Sequence, residues 1–258
     1  MNGSNLSRRR FFIHSAHKTI GVSAGLAAWQ ACDRNLSAGA DQRGRPVRVC
    51  LASGCALYKS DQSLAALQEY LSARTAIRCS RAFAKADDDL PGLENLERCD
   101  CLVLFTRRMT IGGESLDRIK RYCARGGAVV GIRTASHGLQ NWLAMDKEVF
   151  GGDYQNHYTN ETTEVSLAEA AKDHPVLAGI KPFVSRGTLY KNPRIAADTT
   201  TLLMGSCPED RQPVAWTRLH NGGRVLYTSL GHEDDFREPN FLRLLGNAIC
   251  WASGSENG

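Results

Sequence analysis

The chain has 258 residues, 42% apolar and 23% charged, which fits one large or two small globular domains and excludes a wholly disordered protein. Its net charge of +5 is uneven: residues 1–40 carry Arg8, Arg9, Arg10, Lys18 and Arg34 against Asp33 alone, so the rest is nearly neutral. No basic stripe of the kind a nucleic-acid binder needs stands out, so nucleic acid is not an expected partner.

The N-terminus explains the asymmetry. Ser7-Arg8-Arg9-Arg10-Phe11-Phe12-Ile13 resembles a twin-arginine export signal. The apolar stretch from Thr19 to Trp29 is too short and too rich in small residues to span a membrane. Ala38-Gly39-Ala40 then offers a cleavage site before Asp41. Residues 1–40 are therefore expected to direct export to the periplasm or the exterior, with no integral span left in the mature chain. Lipidation at Cys32 is the weaker alternative, because Trp29-Gln30-Ala31 fits poorly before it. The other cysteines are Cys50, Cys55, Cys79, Cys99, Cys101, Cys123, Cys207 and Cys250, with no C-x-x-C pair among them. That spacing suits neither a zinc knuckle nor a redox pair, and buried core thiols are expected.

From residue 47 the pattern becomes periodic. Residues 47–53 read as a strand, 61–72 as a helix with Leu64, Leu67 and Leu71 on one face, and 76–83 as a second strand. The acidic stretch 84–98 reads as a loop with a helical turn. Residues 101–106, CLVLFT, are continuously apolar, as in a strand buried on both faces. A helix opens at Gly112-Gly113-Glu114 and ends before Gly126-Gly127. Residues 128–132 form another buried strand, so 101–132 is a right-handed βαβ unit with parallel strands. A sharp turn comes next, then a short helix from Gly138 to Met145. Beyond a less regular stretch, residues 164–167, 201–204, 213–216 and 224–229 read as strands. Asn221-Gly222-Gly223 joins the last two as a hairpin. A helix from Pro239 to Trp251 closes the domain, and a tail begins at residue 254.

In open α/β sheets ligands bind outside the carboxyl ends of strands. Two segments leave a buried strand with polar tips: Gly131-Ile132-Arg133-Thr134-Ala135-Ser136-His137 and Thr228-Ser229-Leu230-Gly231-His232-Glu233-Asp234. The first is shaped like a nucleophile elbow, but Arg133 stands at its tip, and an arginine is no nucleophile. It could hold an anion or pair with a structural acid. His232 could be an acid or base near neutral pH, or a helix cap.

Several pieces resemble the ThuA-like (trehalose utilisation) family, which is related in fold to class I glutamine amidotransferases. They are Pro213-Val214-Ala215-Trp216, Gly223-Arg224-Val225, Tyr227 through His232, Trp251-Ala252 and, more loosely, Gly126 through Ile132, His174-Pro175-Val176 and Leu189-Tyr190. The likeness covers about residues 47–253. It implies one domain over 41–253: a flavodoxin-like three-layer α/β sandwich with a mostly parallel sheet and a β-rich insertion. It also implies that Arg133 and His232 face one another at the catalytic centre. The sequence departs from the family at Arg133, where a His is usual, and near His137, where an Asp is. No Cys stands at the elbow, so glutamine hydrolysis is not expected.

The resemblance implies a small-molecule carbohydrate ligand, a disaccharide or oxidised sugar. His232, Arg133 and Tyr190 are the expected catalytic residues, and Ser136, His137, His157, Glu164 and Glu233 the expected substrate contacts. No metal ligand is assigned. His137, His157 and His232 could converge on a divalent ion such as zinc, since imidazole suits it. A non-catalytic sugar- or partner-binding module is the alternative. An amidase or protease would need Ser136 within hydrogen-bond reach of His232.

Overall fold

The computed structural model describes residues 45–73 and 76–255, and these belong to one compact unit that begins at Arg45. The expected export signal, its expected cleavage site and Cys32 lie outside the described residues. In chain order the strands are β1 (Val47–Gly54), β2 (Ile77–Phe83), β3 (Cys101–Thr106), β4 (Ala128–Ile132), β5 (Asn156–His157), β6 (Thr163–Leu167), β7 (Phe183–Ser185), β8 (Tyr190–Lys191), β9 (Thr200–Ser206), β10 (Arg211–His220) and β11 (Gly223–Thr228). The α-helices are α1 (Ser60–Ser72), α2 (Gly113–Ala124) and α3 (Pro239–Ala252).

One nine-stranded sheet runs in the order β2-β1-β3-β4-β11-β10-β9-β6-β7. The first five strands are parallel to one another. The last four pair antiparallel, from β10 outward. Every residue of β3 and β4 is buried, because helices cover both faces there. Leu64, Leu67 and Leu71 of α1 and Phe241, Leu245 and Ile249 of α3 pack on one face with Val49, Val103 and Val130. Leu116, Ile119 and Tyr122 of α2 pack on the other with Leu102, Leu104 and Val129. Two helix layers therefore enclose the sheet. The strands from β5 to β10 are inserted between β4 and its neighbour β11, so the antiparallel half of the sheet is the β-rich insertion.

Local signals set the boundaries. Gly126, at φ +76°, lets Gly126 N–H and Gly127 N–H reach back to the carbonyls of Cys123 and Tyr122, closing α2 in a Schellman motif. Asn221 and Gly222, at φ +50° and +82°, make a two-residue turn whose twist matches the β10–β11 hairpin. Of the eight cysteines among the described residues, Cys50, Cys55, Cys101 and Cys123 are buried and the others half-buried, and these eight are free thiols.

One element departs from expectation. The helix anticipated over Gly138–Met145 is replaced by 3-10 turns at Arg133–His137 and Gln140–Trp142 and a π turn at Asp146–Phe150. Arg133 starts turning at the strand tip itself, and Leu139 returns to extended backbone, which interrupts any longer helix.

Candidate functional site

The elbow is built by β4 and the turn at its carboxyl end. Ile132 is extended, and Arg133 then adopts φ +47°. A left-handed conformation costs a non-glycine residue roughly 1–2 kcal/mol, so neighbours must hold it. Tyr227 does so from β11, donating its hydroxyl to the Arg133 carbonyl at 2.6 Å. Gly131 leaves room for this support: a Cβ there would lie 2.6 Å from the Phe150 ring, which packs on Tyr227.

The Arg133 side chain folds inward, and the residue is 1% exposed. Nη1 donates to the Ser229 carbonyl at 2.8 Å and Nη2 to the Thr188 hydroxyl at 3.1 Å. The guanidinium lies between two rings, 4.6 Å from the centroid of Tyr58 and 4.7 Å from that of Tyr190. Gly187 closes over it; a Cβ there would stand 2.7 Å from Nη1. The Arg133 head group is therefore enclosed, and its hydrogen bonds are internal.

Around this buried cation stand aromatic rings. His137 stacks on Tyr154 at 4.5 Å, and Tyr154 packs on Tyr190 at 4.6 Å. Strand pairing sets His157 opposite Tyr190, with ring centroids 6.4 Å apart. On the other side, His232 meets Tyr58 edge-on at 5.7 Å. The structure thus gathers Arg133, His137, His157 and Tyr190, with His232 joined through Tyr58.

The three imidazoles are held differently. Asp234 N–H donates to Nδ1 of His232 at 3.3 Å, so the neutral ring carries its proton on Nε2 and presents a donor. The His232 side chain is 28% exposed. Nδ1 of His157 lies 2.7 Å from the Tyr158 carbonyl and must donate to it, which leaves an Nε2 lone pair on an exposed residue. His137 is half-buried, with Nδ1 3.1 Å from the Ser136 hydroxyl. Burial first, then the charges of Arg107, Arg108 and Arg133, push its pKa down to about 4, so it is neutral at physiological pH. Burial likewise holds Tyr190 well above the usual phenol range, so its hydroxyl stays protonated.

Asp235 anchors the His232 turn. It is 1% exposed, and its oxygens accept from the Ser185 hydroxyl and from the backbone N–H groups of Arg186, Gly231 and His232. Glu233 sits at the rim and pairs with Lys59 at 3.0 Å, tying the Tyr58 turn to the His232 turn. Ser136 is buried and bonded to His137, so the Ser136–His232 pair that a hydrolase would need does not form. Glu164 is exposed on β6, whereas its neighbour Thr163 is buried and donates to the Gly187 carbonyl. Glu164 therefore lies on the opposite face of β6 from Thr163. Among the described residues no three His, Cys, Asp or Glu side chains group as metal ligands would, so the three histidines do not form the zinc site that their residue types allowed.

Sequence reasoning missed Tyr58 and Tyr154. Tyr58 lies just past the tip of β1, where the strand-end rule applies equally. Tyr154 lies in an irregular loop, held by its backbone hydrogen bond to half-buried Asp146 at 3.0 Å and by the rings of His137 and Tyr190.

The fold is a doubly wound α/β domain with a sharp turn at the carboxyl end of β4, and Arg133 stands at the tip of that turn. The family model for trehalose utilisation, ThuA, matches residues 48–252, and the chain belongs to that family. No curated protein sequence matches it significantly. Among solved structures it resembles a ThuA-like protein from Parabacteroides merdae at TM-score 0.65 and 18% identity, over 81% of this chain and 90% of that one. A ThuA-like protein from Bacteroides uniformis matches at 0.62 and 18% identity, over 81% and 92%. A β-galactosidase from Rahnella sp. R3 matches at 0.57 and 13% identity, over 80% of this chain but 31% of that one. At these identities the likenesses show the fold.

Proposed function

We propose that the aromatic cleft at the strand tips takes a disaccharide or oxidised sugar and acts on it by acid/base chemistry. The observation that carries this reading is the pair of oppositely disposed imidazoles. His232 offers Nε2–H as a donor to a sugar oxygen, and His157 offers an Nε2 lone pair that can take a hydroxyl proton. The half-buried Tyr58 and Tyr154 supply apolar faces for the ring, and buried Tyr190 supports Tyr154 from behind. Membership of the trehalose utilisation family supports the sugar class. Neutral His137 and enclosed Arg133 act as walls of the cleft. Removing either His157 or His232 by Ala substitution should lower kcat about 100-fold or more on a responsive sugar, with a smaller change in KM. Turnover unchanged in both variants would overturn the acid/base assignment.

Arg133 favours a second reading. A fixed, buried charge fills the place where a reacting group would stand, which suits a sugar-binding module. Saturable sugar binding, lost on Tyr154→Ala, with no turnover across neutral and oxidised disaccharides would establish it. Export through residues 1–40 belongs to either reading; replacing Arg8, Arg9 and Arg10 by Lys should retain the protein in the cytoplasm, as fractionation would report.

A further inference from the structure

The end of β3 carries two cationic side chains that form no ion pair among the described residues. Arg107 and Arg108 come directly after Thr106, the last residue of that strand. Their backbone is pinned beside the cleft: Arg107 N–H donates to the Gly54 carbonyl at 2.9 Å and Arg108 N–H to the His137 carbonyl at 3.2 Å. Arg107 is half-buried and Arg108 exposed, yet among the described residues neither side chain makes an ion pair or a hydrogen bond. Arg108 also holds φ +52°, a conformation that costs a non-glycine residue roughly 1 kcal/mol or more.

Unpaired surface arginines are ordinary by themselves. The buried charge behind them is not. Arg133 is almost wholly enclosed, makes no ion pair among the described residues, and its Nε has no hydrogen-bond partner. Asp235, the carboxylate that acts on it, already commits its oxygens to Ser185, Arg186, Gly231 and His232. The Arg108 backbone bonds the His137 carbonyl, and the charges of Arg107, Arg108 and Arg133 all disfavour a proton on His137. Like charges gathered beside apolar rings repel one another and favour a counter-charge from outside.

We propose that the cleft binds a ligand carrying an oxyanion substituent, a carboxylate or a phosphate, seated on Arg107 and Arg108 beside the His137–Tyr154 stack. The proposal rests on the sugar reading and narrows it to a sugar acid or sugar phosphate. Guanidinium groups pair with either oxyanion through two parallel N–H donors, and such charge-assisted bonds are the stronger kind.

Titration calorimetry on the intact protein tests it, with glucose, glucuronate, glucose 6-phosphate and inorganic phosphate as probes. One anionic sugar should bind about tenfold or more tightly than glucose, with affinity falling as salt rises. The Arg107→Gln/Arg108→Gln double variant should lose that preference, and Arg107→Lys/Arg108→Lys should keep part of it. Arg108→Gly, which relieves the backbone strain, controls for folding through its thermal unfolding midpoint. The glucuronate and glucose 6-phosphate arms decide between carboxylate and phosphate. Glucose binding as well as its anionic derivatives, or a preference that survives the double Gln variant, would overturn the oxyanion site and leave the sugar reading standing. Arginine-dependent binding of inorganic phosphate, with no gain from any sugar moiety, would support the oxyanion site and remove the sugar reading. No binding of any probe would overturn both.

Discussion

At the scale of one residue, Arg133 shows how a site position can serve the architecture. Its guanidinium fills the space between Tyr58 and Tyr190 and satisfies the buried Ser229 carbonyl. Arg133→Ala leaves a void between two rings and an orphaned acceptor, and should cost about 3–5 kcal/mol in urea unfolding. Arg133→Met keeps most of the volume and introduces no charge, so its cost should stay below about 2 kcal/mol. Equal losses in the two variants would mean that the charge itself, and not the packing, holds the elbow. The sequence placed Arg133 at a strand tip correctly but could not tell which way it faces. That depends on Gly187 and Thr188, more than fifty positions further along the chain, in a loop with no periodic pattern.

At the scale of elements, glycines decide which turns can close. Gly222→Ala has nothing within 4 Å of the added Cβ, so only the left-handed backbone counts against it, about 1 kcal/mol. Gly126→Ala has the same backbone problem and also drives a Cβ to 2.5 Å from the Asn221 carbonyl, breaking the contact between the α2 cap and the hairpin. Denaturant unfolding should therefore rank Gly126→Ala well below Gly222→Ala in stability. These turns were legible because NG and GG beside apolar runs carry a local mechanism. The buried strands β3, β4 and β11 were legible for a similar reason, since continuous apolar runs have few other uses. The strands β5, β7 and β8, two or three residues long, are too short to show any period. They nevertheless carry His157 and Tyr190 into register and frame the loop over Arg133. The aromatic wall was therefore only half readable: its histidines could be named, but the strand pairing that aligns their rings could not.

At the scale of the whole molecule, two half-buried groups beside Tyr154 make stability respond to pH in opposite directions. His137 stacks on the Tyr154 ring, and Asp146 accepts the Tyr154 backbone N–H. Burial pushes the His137 pKa down to about 4, from 6.5 in the unfolded chain. Its contribution is complete above pH 6.5 and is lost as pH falls toward 4, because the unfolded chain takes up the proton first. Burial pushes the Asp146 pKa up to about 6, from 3.8, and one of its oxygens has no partner. Its contribution is complete below pH 3.8 and is lost as pH rises through 6. Between pH 4 and 6.5 the two effects largely cancel. After allowance for solvent screening each amounts to about 1–2 kcal/mol. Removing one should expose the other. Relative to wild type, His137→Gln should gain stability as pH falls from 7 to 4.5, because it no longer loses the histidine contribution. Asp146→Asn should lose stability relative to wild type over the same range, because it forgoes the gain from protonating Asp146. Using differences from wild type removes the shared acid response of Asp100 and Asp210, whose pKa values are lowered by hydrogen bonds to Arg48 and Tyr158 among others. Parallel urea titrations at the two pH values decide the matter: differences that do not change with pH would remove both groups from the acid response and leave Tyr154 held by packing alone.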